Sequence, residues 1–323
     1  MNYQGLMQLA NGYAHSKVLL TANELGVFTA LGQTKRTAKT ISRMCRTRLE
    51  GMQLLLNALA GLDLIHVRKG LYWNTDLART FLDKNSPRAV TNLLWLLNHH
   101  WSNWTEMLRS IQKGRPGWAP VTKTIEFRRR FALAMHERSL ILAPLTIRTC
   151  RMPPRATSFF DLAGGPGSYS IALAKRYRTL SGVMIDQSIA VARRLIQQES
   201  LENRLSVRRG NIFSVPFPEE SDAAIVANIF HDYDERENRQ LLHRVRKALR
   251  PGGKVFIVEF FLDDTGSKPV DAAVFSLLMY GFTDTGRSYG WKEVEGWLKA
   301  EGFGQFRRHA VTESIGTLEA IRI

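Results

Sequence analysis

Residues 158–177 read SFFDLAGGPGSYSIALAKRY. A short apolar run ends in an acid, Asp161, breaks into Gly164-Gly165-Pro166-Gly167, and resumes as an Ala-rich segment. That order spells a strand, a tight turn and a helix. Glycines at such a turn let a ligand approach the backbone closely, because no Cβ stands in the way. The spacing fits the dinucleotide fingerprint poorly: Gly164, Gly165 and Gly167 are bunched, and Tyr169 and Ser170 follow where a third glycine belongs. An acid three residues before the first glycine would repel a pyrophosphate but suits a cationic ligand. No Gly-Lys-Ser/Thr occurs, which excludes a Walker loop.

The ends of the following strands narrow the ligand. The run LSGVMIDQS finishes at Asp186, about twenty residues past the glycines, where an acid in a doubly wound fold takes both ribose hydroxyls. The next, RRGNIFSVPFP, exits through Gly210, Asn211 and Phe213, an amide and an aromatic suited to a purine edge and face. A nucleoside joined to a cationic group without phosphate describes S-adenosylmethionine. The fourth run, DAAIVANIF, leads into His231-Asp232-Tyr233, and the fifth, GKVFIVE, ends in Glu259. A histidine at the carboxyl end of a central strand faces the crevice of such folds and has the pKa of a general base. A carboxylate within reach can hold one tautomer and stabilise the imidazolium.

The rest of the chain frames this half. Strand runs at about 158–162, 181–186, 204–209, 222–228 and 253–259 alternate with helices, which means a parallel sheet covered on both faces. GQFRRHAV and GTLEAIRI, joined by a short turn, are expected as an antiparallel edge hairpin. Residues 1 to about 150 carry almost no strand signal. LMQLANGYAHSKVLLTANELGVFTAL has helical spacing up to Gly32. A helix, a second helix at about 48–61 and a hairpin of LIHVR and LYWN through Lys69-Gly70 form a winged-helix pattern. Two long helices are expected at about 86–112 and 123–149, separated by the loop KGRPGWAP.

The 323 residues hold 45 Lys+Arg against 29 Asp+Glu, a net charge of +16. The basic residues are scattered, which disfavours nucleic acid as a partner. No run of eighteen apolar residues and no zinc spacing occurs, and no secretory signal is expected. Cys45 and Cys150 form no disulfide framework, so a cytoplasmic location is expected, with no metal and no membrane insertion.

Read in order, these motifs resemble the small-molecule O-methyltransferases with an N-terminal winged-helix dimerisation domain. That family includes plant phenylpropanoid and flavonoid enzymes, acetylserotonin methyltransferases, and bacterial antibiotic and pigment enzymes. QLANGYAHSKVLLTANELGVFTAL is similar to its opening helices, DLAGGPGSYSIALAKRY to its D-x-G-G-G-x-G motif, and GNIFSVPFP to its G-D-M-F-x-x-x-P. NIFHDYDERENRQLLHRVRKAL resembles its H-D-W helix, LRPGGKVFIVE its P-G-G-K strand, and WKEVEGWLKAEGF the motif before its final strands.

The resemblance implies a Rossmann-like doubly wound methyltransferase sheet, mostly parallel with an antiparallel edge hairpin, behind an N-terminal all-helical winged-helix domain. The implied division is a dimerisation domain at 1–84, a helical connector at 85–150 and a cofactor-binding domain at 151–323. It further implies that Asp161, Gly164 and Gly165 hold the methionine part of S-adenosylmethionine, that Gly167 is also at the cofactor, and that Asp186 takes the ribose. Asn211 and Phe213 would flank adenine, with Gln187, Ile212 and Asn228 completing the cofactor set. His231 would be the base and Glu259 its orienting acid, acting on a hydroxyl of a small aromatic or polycyclic acceptor in a homodimer. Departures are Ala163 and Pro166 for glycines, Asn211 for Asp and Tyr233 for Trp. Arg287 and Ser288 stand where many plant members carry a second acid.

The acceptor pocket is expected between the domains, with Trp101, Trp104, Phe131, Met135, Phe275 and Met279 as candidate walls. Transfer to carbon or nitrogen is an alternative, as is a DNA-binding regulator built on a degenerate methyltransferase fold. Lys35, Arg36, Lys39, Arg43, Arg46 and Arg48 would serve a regulator. Against it, Met52, Leu54, Leu55, Leu56 and Leu59 make the would-be recognition helix too apolar for a groove reader, better suited to packing on a partner.

Overall fold

The computed structural model describes residues 1–115 and 124–323. The expected loop at 113–120 therefore lies, from residue 116 on, outside the described residues. Two compact units emerge, Met1–Trp101 and Ser102–Ile323.

In the first unit, helices α1 (Tyr3–Glu24) and α2 (Val27–Leu31) take up the first helical pattern, which breaks at Gly26 in left-handed backbone. Helices α3 (Ala38–Met44) and α4 (Leu49–Gly61) precede strands β2 (Ile65–Arg68) and β3 (Leu71–Asn74), the expected wing. A two-residue strand, β1 (Arg36–Thr37), pairs with β3 and makes the sheet three-stranded. So short a segment has no periodicity to read. On α4, Met52, Leu56 and Leu59 are core and only Leu54 is strongly exposed among the five apolar residues singled out. The i, i+4, i+7 stripe turns inward against Phe28, Leu31 and Ile41, so most of that apolar face serves this unit's own core. Helix α5 (Asp76–Phe81) follows.

The helix expected at 86–112 is three pieces: α6 (Thr91–His99), α7 (Trp101–Thr105) and α8 (Met107–Lys113). Neither interruption, at His100 or Glu106, carries a Gly or Pro, so the apolar pattern runs through both breaks. Helix α9 (Ile125–Thr149) matches expectation and is capped by Thr124, whose hydroxyl accepts the Phe127 N–H at 3.1 Å.

The second unit is a seven-stranded sheet. Its strands are β4 (Ser158–Leu162), β5 (Ser181–Asp186), β6 (Leu205–Arg209), β7 (Ser221–Ala227), β8 (Leu249–Glu259), β9 (Phe303–Ala310) and β10 (Gly316–Arg322). The order is β6-β5-β4-β7-β8-β10-β9; the first five run parallel, and β10 is antiparallel to both β8 and β9. The chain moves outward from β4 through β5 to β6, then returns to β7 on the other side of β4. That reversal opens a crevice at the carboxyl ends of β4 and β7.

Alternation along each strand separates two cores. Phe160, Val226, Val255 and Ile257 pack on one face with α12 (Glu235–Ala248) and α14 (Trp291–Ala300). Phe159, Ile225, Phe256 and Val258 pack on the other with α9, α10 (Ser168–Arg176) and α11 (Ala190–Gln198). Helix α13 (Val270–Phe282) lies between β8 and α14 in sequence. Among the described residues, no helix is long and apolar enough to cross a membrane.

Gly182, on β5, has Phe159 where its own side chain would be: a Cβ there would lie 2.2 Å from the ring. Gly182→Ala is therefore expected to destabilise the protein by about 1–3 kcal/mol in denaturant titration. Gly296→Ala on α14, where a Cβ meets open space, should stabilise by up to about 1 kcal/mol. Equal effects at both positions would refute the packing account.

Candidate active site

All the strand-end residues singled out in the sequence reach the carboxyl edge of the sheet. Asp161 is the penultimate residue of β4, Asp186 ends β5, Asn211 lies just beyond β6, Asn228 just beyond β7, and Glu259 ends β8. Gln187 follows Asp186 and is exposed, while Ile212 is buried in the core beneath the β6 exit.

The glycine loop is shaped from below. Asp161 is fully buried, and its Oδ2 accepts the Ser170 hydroxyl at 2.6 Å. A Cβ on Gly164 would lie 2.8 Å from the Asp161 carboxyl, so the acid leaves no room there for a side chain. Gly165 and Gly167 have φ of 53° and 82°, the left-handed backbone that favours glycine. Ala163 is also left-handed, at 49°. The Gly165 N–H donates to Asp186 Oδ2 at 2.9 Å, and the Ser188 N–H to Oδ1 at 2.7 Å. Asp186 thus ties the loop to the end of β5 and stands half-buried at its lip.

Burial pushes the Asp161 carboxyl up to about 7; the Ser170 hydrogen bond pulls against the rise and Asp186 adds to it. Burial also raises Asp186, against the backbone N–H groups that favour its charge. At the β6 exit, the Asn211 side-chain carbonyl accepts the Phe213 N–H at 2.9 Å, an Asx-type turn that leaves its second lone pair free. Phe213 meets Tyr233 edge-on, centroids 4.9 Å apart.

On the other side of the crevice, His231 lies in a short 3₁₀ turn (Phe230–Asp232) after β7 and is 8% exposed. Its Nδ1 is 2.8 Å from Glu259 Oε2. The same carboxylate accepts the Phe230 N–H on Oε1 at 2.8 Å and the Phe260 N–H on Oε2 at 3.2 Å. With Glu259 so engaged as an acceptor, Nδ1 carries the hydrogen and the neutral ring keeps its lone pair on Nε2. Asp232 Oδ1 is 3.8 Å from Nε2, beyond hydrogen-bond range. Burial alone would lower the imidazole pKa, but Glu259, with Asp232 adding, outweighs it and holds the ring above its ordinary value. Phe275 of α13 meets the ring edge-on at 4.8 Å and packs on Phe260 at 4.3 Å.

Of the other candidate walls in this unit, Met279 is core, Trp104 and Phe131 are exposed, and Met135 is half-buried. Ser288 is buried and hydrogen-bonded to Ala272 O, so no second acid meets His231 from that position.

Three contributors were not legible beforehand. Gly286 lies against the histidine turn, where a Cβ would sit 1.9 Å from the His231 carbonyl oxygen. Tyr169, quoted only as part of the loop, is buried and within 3.4 Å of Asn228 Nδ2. Arg138 of α9 reaches the same neighbourhood, over the Phe260 ring at 4.8 Å.

The residues fit S-adenosylmethionine. The loop presents glycine backbone where side chains would clash, a carboxylate stands at the neighbouring strand end, and Asp161 Oδ1 and Asn228 Oδ1 are buried acceptors without a partner. A doubly wound sheet with a glycine loop of this kind is the framework of a methyltransferase-type fold.

Comparison with known proteins agrees. Residues 101–304 match the family model of the O-methyltransferase domain, and residues 7–84 that of the O-methyltransferase dimerisation domain. The chain belongs to this S-adenosylmethionine-dependent O-methyltransferase family and is an enzyme of that type. It is 30% identical to acetylserotonin O-methyltransferase of Gallus gallus over 322 residues, covering 93% of this chain and 92% of the relative. It is 29% identical to 3-hydroxy-5-methyl-1-naphthoate 3-O-methyltransferase of Streptomyces sahachiroi over 311 residues, 94% and 90% of the two chains. The fold matches human N-acetylserotonin methyltransferase, solved in complex with SAM, with a TM-score of 0.90 at 24% identity over 99% of this chain and 97% of that one.

A carboxyl whose pKa is raised on folding binds protons in the native state that the unfolded chain has already released. Stability is therefore lost as pH rises from about 3.8 to about 7, the range between the two values. Asp161→Asn removes that loss. Its stability gain over wild type should be larger at pH 8 than at pH 5.5 by about 2 kcal/mol in denaturant titration. A gain independent of pH would count against the buried, protonatable carboxyl.

Proposed function

We propose that this enzyme moves the methyl group of S-adenosylmethionine to a hydroxyl of a small aromatic acceptor, with His231 as general base and Glu259 as the acid that orients it. The observation that carries the reading is the His231 Nδ1 to Glu259 Oε2 contact at 2.8 Å, at the end of the strand beside the crevice. When bound, the cofactor supplies an electrophilic methyl on a sulfonium.

The chain's own residues do the remainder. A phenol with a pKa near 10 is almost entirely protonated at neutral pH. His231 Nε2 would accept its proton as the oxygen attacks, and Glu259 would stabilise the imidazolium formed. Glu259 is itself held by the Phe230 and Phe260 N–H groups, so the acceptor that orients the ring is fixed to the backbone. Asp161 and the glycine loop would seat the methionine part, Asp186 the ribose, and Asn211 and Phe213 the adenine.

Phe260 and Phe275, in contact around the histidine, support an aromatic acceptor. The relative named for a 3-hydroxynaphthoate supports transfer to a ring hydroxyl. The match of residues 7–84 to the dimerisation model supports a homodimer formed through that region.

His231→Ala should lower transfer to a hydroxylated aromatic by about a hundred- to ten-thousand-fold while calorimetry still shows cofactor binding. The base acts only when neutral, so turnover should rise with pH through a pKa above the ordinary value of about 6.5. NMR titration of the ring should give that same raised pKa in wild type, and Glu259→Gln, lacking the charge that raises it, should bring it down. An unchanged ring pKa in Glu259→Gln would remove Glu259 from its role.

A further inference from the structure

Arg138 projects from the middle of α9, and the reaction assigns its charge no task. Its guanidinium makes no hydrogen bond to any described residue, and Nη2 is shut off from solvent. It lies over the face of Phe260, and burial pulls its pKa below the usual arginine value. Tyr169, in the first turn of α10 directly after the glycine loop, and Glu259 are its electrostatic neighbours. Among the described residues no ion pair joins it to Glu259, whose oxygens hold His231 and two backbone N–H groups.

A half-buried guanidinium with Nη2 shielded from water and unpaired is unfavourable, and guanidinium is built to grip a planar anion in a two-pronged contact. Tyr169 also has Asn228 against it, held in left-handed backbone with φ 57°, its Nδ2 toward the Tyr169 hydroxyl and its Oδ1 buried without a donor. Tyr169 is thus the shared neighbour of an unpaired cation and an unpaired acceptor. The complement of that pair is a carboxylate next to an ammonium, the α-amino-acid end of methionine. The glycine loop, which Tyr169 follows, is where that end of the cofactor would lie.

We propose that Arg138 binds the carboxylate of the cofactor's methionine moiety, with Asn228 Oδ1 accepting from the adjacent ammonium. The assignment rests on the cofactor seating put forward above and adds a residue from outside the strand-end motifs. It also gives the guanidinium a reason to be tolerated in an aromatic setting, since the bound zwitterion brings in the missing counter-charge.

The test is calorimetric titration of the full-length protein with S-adenosylhomocysteine and with its decarboxylated analogue, the same thioether nucleoside ending in an aminopropyl chain. Arg138→Met should weaken S-adenosylhomocysteine at least tenfold while leaving the analogue unchanged or bound more tightly. In wild type the analogue should be the weaker ligand by a similar factor. Arg138→Lys, which keeps the charge but loses the fork, should fall between, and it carries the test alone if the Met variant fails to fold. Retained preference for the carboxylate in the variants would overturn the proposal and assign the guanidinium to an acidic acceptor. Equal weakening of both ligands would overturn it in favour of a packing role. Failure of wild type to bind S-adenosylhomocysteine would instead strike the cofactor seating itself.

Discussion

The parallel pairing of β4 with β7 is the contact on which the site depends. Phe159, Phe160, Asp161 and Leu162 lie opposite Ala223, Ala224, Ile225 and Val226. Strands met in sequence after β4 lie on one side of it, and those met after β6 lie on the other. The two connections therefore diverge above the β4–β7 boundary. The candidate groups reach the gap between them from the ends of five strands, β4 to β8, and from α9. A shift of one residue in the β4–β7 register would turn Asp161 toward the opposite face and dissolve the loop's support.

Charge around the crevice is handled in two ways. The His231–Glu259 pair is internally complete: the carboxylate is engaged by two backbone N–H groups as well as by the ring, so its charge and the imidazole's orientation are both held. Asp161, Asn228 and Arg138 each keep a buried polar atom without a partner. Native folds rarely leave such atoms unpaired unless something else supplies the partner. The complete pair suits a proton transfer that must work from a fixed geometry. The incomplete set suits a polar ligand that arrives with its own donors and acceptors.

Much of this was legible from local pattern. Four parallel strands, β4, β5, β7 and β8, lie where apolar runs end in an acid or amide, because an interior strand is covered on both faces; the edge strand β6, LSVRR, is polar along its length. The wing was legible because Lys69-Gly70 separates two short β-prone runs. The three-way split of 91–113 was not, since nothing at His100 or Glu106 marks a break in composition. Strand β1 was not, being two residues long. Asn211 was read for its amide, whereas folding engages one carbonyl lone pair in its own turn. Arg138 was one of many scattered basic residues, with no local feature to separate it from the surface arginines.

The sequence by itself determined the order of strands and helices, the glycine loop and the acids that end the strands. These follow from periodicity and turn chemistry, which act between residues a few positions apart. Only the tertiary structure decided which of those ends face one another, that Gly286 must lack a side chain to admit the His231 turn, and that Arg138 comes to Phe260 rather than to solvent. Those outcomes depend on helix packing and strand register between distant segments, where the direction of a side chain is set by what its element packs against and leaves no trace in neighbouring residues.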